Sequence, residues 1–197
     1  MCMLKWLRTI ILGDMFFLTA FGLISPIFAL FLKDQLPGAN VLGVALAEAF
    51  FLLALGVIRP FAKLYTKNDT RGWRTQNFLW FGSCMVIAAP FLYLLSRDML
   101  DIYVVQVLYG VGIAFSEPAW SRLVDISSQK DHNPSVFEQY NTLGTLIAAA
   151  LAGVGGFVAQ YQGMRPLLVF LGTTLACASM LMWFFFWHLA IRKLRTV

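Results

Sequence analysis

The sequence is short of charge. Only 13% of its 197 residues are Asp, Glu, Lys or Arg, about half the share found in an ordinary soluble domain. Cysteine is scarce as well. Cys2, Cys84 and Cys177 are far apart, with no CxxC and no pair at ligand spacing, so the sequence offers neither a disulfide framework nor a metal site. The two histidines, His132 and His188, stand in no Ser–His or clustered Asp–His pattern. An intramembrane transferase or hydrolase needs such a cluster, so the reading is not an enzyme and calls for no cofactor. What is abundant is apolar: 59% of residues are hydrophobic and the mean hydropathy is +0.73. A net charge of +5 would suit nucleic acid. The basic residues, however, fall between long apolar runs and form no patch among aromatics, which is the pattern of topology signals.

Crossing a bilayer takes about 20 predominantly apolar residues. Six stretches qualify, at 9–32, 41–60, 77–96, 102–123, 136–160 and 166–191. Polar and turn-forming segments join them, among them Lys33-Asp34-Gln35 with Pro37-Gly38, Arg97-Asp98, and Lys130-Asp131-His132-Asn133-Pro134. The first stretch exceeds a signal-peptide core and has no small-residue cleavage site after it. The expected fold is therefore an all-α integral membrane protein, residues 1–197 forming one domain of six spans. With the amino terminus inside, twelve of the fifteen basic residues fall on cytoplasmic segments, and only Lys33, Arg97 and Arg165 fall outside. The positive-inside rule then places both termini in the cytoplasm, and the expected location is a plasma membrane of the bacterial inner-membrane type.

Polar side chains within spans are costly, and where they survive they face a bundle interior or a wet cavity. They concentrate here in four spans: Asp14 and Ser25 in the first, Glu48 in the second, Gln106, Tyr109 and Glu117 in the fourth, Asn141 in the fifth. Those four are expected to line a cavity or interface, and the third and sixth to form an outer scaffold. Gln106, Gly110, Ile113 and Glu117 share one face of the fourth span. Each has a plainer alternative: Asp14 in the headgroup zone, Glu117 in a structural pair with Arg59 or Arg122. Glu48 has no basic residue within reach on its own helix. In the fifth span Gly144, Ala148, Ala152 and Gly156 recur every four residues, a smooth stripe for helix packing.

An inverted repeat is faintly visible. The second span opens Leu42-Gly43 and is followed by Ala62-Lys63-Leu64-Tyr65 and Gly72-Trp73-Arg74. The fifth opens Leu143-Gly144 and is followed by Ala159-Gln160-Tyr161 and Gly163-Met164-Arg165. Because the two cross in opposite directions, two three-helix units would be related by inversion, as in secondary transporters.

The loop after the second span reads Tyr65-Thr66-Lys67-Asn68-Asp69-Thr70-Arg71-Gly72-Trp73-Arg74. It resembles the G-x-x-x-D-R-x-G-R-R signature of the major facilitator superfamily, with Asp69, Gly72 and Arg74 in place and Tyr65 and Thr70 departing from it. Gln106-Val107-Leu108-Tyr109-Gly110 is similar to that family's R-x-x-Q-G, keeping the glycine but not the arginine associated with proton coupling. Gly155-Gly156 is similar to the end of the family's glycine-rich fifth helix. The resemblance covers nearly the whole chain and implies the N-terminal six-helix half of such a transporter. It implies secondary active transport of a small solute by alternating access, between this half and a second six-helix half. That second half would be missing from a fragment, supplied by homodimerisation, or carried on a separate chain. The implied cavity residues are Glu48, Gln106, Tyr109, Asp14, Ser25 and Asn141. Asp69, Arg71, Gly72 and Arg74 would form the cytoplasmic loop motif, and Arg59 and Glu117 a gating contact. The rival expectation is a non-transporting scaffold or assembly subunit that kept the half-bundle.

Overall fold

The computed structural model describes residues 32, 36, 39–67, 69, 73–128 and 134–194, and their side chains except at 73, 123–141, 143, 144, 147, 148, 151, 178 and 181–194. The first expected span lies outside the described residues apart from its last, Leu32. The described residues are all-helical, with no strand. They form α1 (Val41–Lys67), α2 (Trp73–Leu95), α3 (Met99–Ser128), α4 (Pro134–Gln162) and α5 (Met164–Leu194). Each helix contains most of one expected span and runs beyond it. Among the described residues, three segments are long and apolar enough to cross a membrane: Val41–Lys67, Arg74–Leu95 and Met99–Arg122.

Local chemistry sets the helix ends. Asn40 caps α1, its Oδ1 accepting the Gly43 N–H at 2.7 Å. Asp98 caps α3 by accepting the Asp101 N–H at 3.0 Å, while the Asp101 carboxylate reaches back to the Arg97 N–H at 2.8 Å. This reciprocal pair satisfies two amides that the first turn leaves without helical partners. α4 ends at Gly163, whose φ of +86° is the left-handed conformation that a residue without Cβ adopts freely. Its N–H closes on the Ala159 carbonyl at 3.1 Å before α5 begins. The second span was expected to stop at Pro60, but α1 continues two turns to Lys67. Pro60 removes one amide donor on an exposed side of the helix, and the flanking hydrogen bonds carry the helix past it.

The described helices pack in the order α1, α3, α2, α5, α4. α1 lies parallel to α3 in a fixed register: Phe51 stacks on Tyr109 with ring centroids 5.3 Å apart, and Arg59 pairs with Glu117, each 58 residues further on. Gly110 permits the approach, since a Cβ there would stand 2.6 Å from the Phe51 carbonyl oxygen. α2 runs antiparallel to α3 and is closer still. A Cβ on Gly82 would lie 2.5 Å from the Gly112 carbonyl oxygen and 2.7 Å from the Ser116 nitrogen. Small residues thus place backbone against backbone, the packing used where lipid supplies no hydrophobic drive between helices. The third span, expected as outer scaffold, is interior to this row: α2 contacts α3 on one side and α5 on the other. Val86, Ala89 and Tyr93 of α2 meet Leu167, Leu168 and Leu171 of α5 in the buried core.

α1 is the least enclosed of the three membrane-length segments. It buries only Gly43, Ala47, Phe51, Ala62 and Thr66, one stripe toward α3, and exposes Leu42, Leu46, Leu52, Leu53, Val57 and Phe61.

Candidate functional site

Two polar layers cross the seam between α1 and α3. The register that pairs Phe51 with Tyr109 and Arg59 with Glu117 puts Glu48 level with Gln106. Eleven residues, about 16 Å of helix, separate this layer from the Arg59–Glu117 layer on both helices. Gln106 is buried at 4% exposure, whereas Glu48 is exposed on α1. Tyr109 follows Gln106 by three residues on α3 and stacks on Phe51 of α1, and it packs against the buried core cluster that holds Tyr93 of α2. Three helices thus bring polar side chains to this part of the bundle: Glu48 from α1, level with Gln106 of α3 by register, with Tyr109 from α3 and Tyr93 from α2 in or against the core. A carboxylate, an amide and two phenols can accept and donate hydrogen bonds to a small polar solute or hold a cation. Tyr93 escapes the sequence reading because its ring counts as apolar in hydropathy. Its hydroxyl, in a span with little else that is polar, was the available signal.

In the second layer Arg59 and Glu117 form an ion pair, with side chains 48% and 42% exposed. At that exposure a direct pair contributes no more than about 1 kcal/mol, so its value lies in fixing the two helices against each other. The face shared by Gln106, Gly110, Ile113 and Glu117 is the one α3 turns toward α1, since Gly110 touches Phe51 and Glu117 holds Arg59.

The loop after α1 is held by Asp69, which is 6% exposed. Its Oδ2 accepts the Thr75 N–H at 2.8 Å and the Thr75 hydroxyl at 3.0 Å, anchoring the first turn of α2. The Arg74 guanidinium lies over the Tyr65 ring, 5.1 Å from its centroid, and Tyr65 stacks on Phe78 at 4.8 Å. An aromatic platform thus occupies the place where the resembled signature has its first glycine. Asp69→Ala will remove the cap and lower stability by about 1 kcal/mol, measured by thermal unfolding in detergent; an unchanged midpoint would show that Thr75 needs no such acceptor.

Several expected site residues cannot be placed. Asp14, Ser25, Arg71 and Gly72 lie outside the described residues. Asn141, Gly144 and Ala148 lie on α4 at positions whose side chains are not described. Of the expected packing stripe, Ala152 is half-buried, and a Cβ on Gly156 would meet nothing within 4 Å. Among the described residues, close helix approaches lie at Gly82, Gly110, Gly112 and Gly172, the last beneath the Phe91 ring.

Comparison with known proteins gives no match: no family model, no curated protein and no solved structure aligns significantly with the chain.

Proposed function

We propose that the chain is a multi-pass membrane protein of six spans, built as two inverted three-helix repeats with both termini cytoplasmic. Its function on this reading is secondary active transport of a small solute, as one half of a transporter of the major facilitator type. The observation that supports the reading is the layer in which Glu48 of α1 stands level with the buried Gln106 of α3. A carboxylate and a buried amide at one depth of an apolar bundle are expensive to keep, and polar groups from facing helices at one depth are what a solute site needs. The Arg59–Glu117 layer beneath it supplies a closure toward the end of α1 that carries Lys63 and Lys67. The departures at Tyr65 and Thr70 favour the rival reading, a non-transporting scaffold or assembly subunit that kept the half-bundle.

Alternating access can be tested before the solute is known. In a chain whose three cysteines are replaced by serine, Ile113→Cys places a thiol on α3 between the two polar layers. A membrane-impermeant maleimide should label it in sealed vesicles of either orientation. Labelling from one face alone, or from neither, would favour the scaffold.

A further inference from the structure

The exposed side of α1 changes character along its length. From mid-helix toward Lys67, the residues Leu52, Gly56, Arg59, Lys63 and Lys67 follow at intervals of four, three, four and four, which keeps them on one face. All five are exposed. Leu52 is 54% exposed, and Gly56 has nothing within 4 Å of where a Cβ would stand, leaving a shallow notch beside it. Arg59 turns across the seam to Glu117. Lys63 and Lys67 make no ion pair among the described residues.

The dimensions fit one ligand. From Leu52 to Lys63 the helix rises about 16 Å, close to the hydrocarbon depth of one leaflet, which is half of a core about 30 Å thick. With Lys63 and Lys67 at the level of the phosphates, Leu52 and the Gly56 notch would lie among the acyl chains. We propose that this face is a binding site for one anionic phospholipid. Lys63 and Lys67 hold its phosphodiester, and one acyl chain lies along Gly56 and Leu52. The charge complementarity and the apolar run continuous with it commit the site to a lipid. A soluble anionic partner would reach the lysines but not the notch. The proposal rests on the membrane reading above and is independent of transport.

The test is a titration of phosphatidylglycerol or phosphatidylcholine into detergent-purified protein, read as the thermal unfolding midpoint. Phosphatidylglycerol should raise the midpoint, with phosphatidylcholine and inorganic phosphate giving little effect. Each lysine near a phosphate contributes about fivefold in affinity, so Lys63→Gln with Lys67→Gln should shift half-saturation about thirtyfold. Lys63→Arg with Lys67→Arg should preserve the response, as should Arg97→Gln at the other end of the bundle. Equal responses to both lipids, an equal response to phosphate, or a double Gln variant that titrates like wild type would each overturn the site. Should the Gln variant fail to fold, the wild-type comparison of the two lipids still decides. A chain that sediments with the soluble fraction of lysed cells would instead remove the membrane reading itself, whereas loss of Ile113→Cys labelling with the lipid response intact would remove only transport.

Discussion

Gly82→Ala will lower the stability of the helix bundle by about 3 kcal/mol, the upper end of what overpacking costs, and Gly153→Ala will not. The difference lies in what an added methyl meets. At Gly82 it would stand 2.5 Å from the Gly112 carbonyl oxygen and 2.7 Å from the Ser116 nitrogen, both backbone atoms that cannot rotate away. α2 and α3 would have to separate along their crossing, loosening the contact that keeps α2 interior. At Gly153 the methyl meets nothing within 4 Å, and alanine is the better helix former by about 1 kcal/mol. Thermal unfolding in one detergent compares the two directly. Equal midpoints would mean that the α2–α3 crossing is not held by the glycine contact.

On the proposed transport reading, Glu48→Gln will cut solute flux by about tenfold or more while leaving the unfolding midpoint unchanged. The amide keeps the shape of the side chain, so packing against α3 is retained. What is lost is the charge, and a hydrogen bond or ion contact to a charged group is worth about 1.5–3 kcal/mol. Glu48→Asp, which keeps the charge on a shorter stem, should retain part of the flux. The assay is uptake into proteoliposomes, screened first with the wild-type chain against a panel of charged and neutral small solutes. Full flux in Glu48→Gln would remove the carboxylate from the mechanism, and a panel in which wild type moves nothing would favour the scaffold reading. A fall in the unfolding midpoint would show that Glu48 has a structural partner instead.

The sequence made some of this legible and hid the rest for physical reasons. Five of the six expected spans coincide in their centres with described helices, because a long apolar run has few ways to satisfy its backbone other than a helix. Their ends were harder to read. α1 passes Pro60 because a proline removes only one donor, and α3 begins at Met99 because Asp98 and Asp101 cap it from outside the apolar stretch. The order of the helices was not legible at all. In α2, α3 and α5 apolar residues are spread around the whole circumference, so no face announces its neighbour. Small residues did mark contacts: Gly110 lay on the face read for α3, whereas Gly82 and Gly112, which also bring backbones together, stand in no repeat that would single them out. At the site, Glu48 and Gln106 were legible as costly residues, and the Arg59–Glu117 pair as one of two pairings open to Glu117. Tyr93 was not read, since its ring counts as apolar and its hydroxyl, the one local signal, does not say whether the phenol meets polar groups or fills space.

The Arg59–Glu117 pair has a further consequence. Each partner stands immediately before a proline, Pro60 in α1 and Pro118 in α3. Proline supplies no amide hydrogen, so the carbonyls of Gly56 and Ala114 lose their usual helical donors, and each rod has a soft joint at the same height. The ion pair ties these joints to each other across the seam, so a bend at one would pull on the other with the modest force of a half-exposed pair.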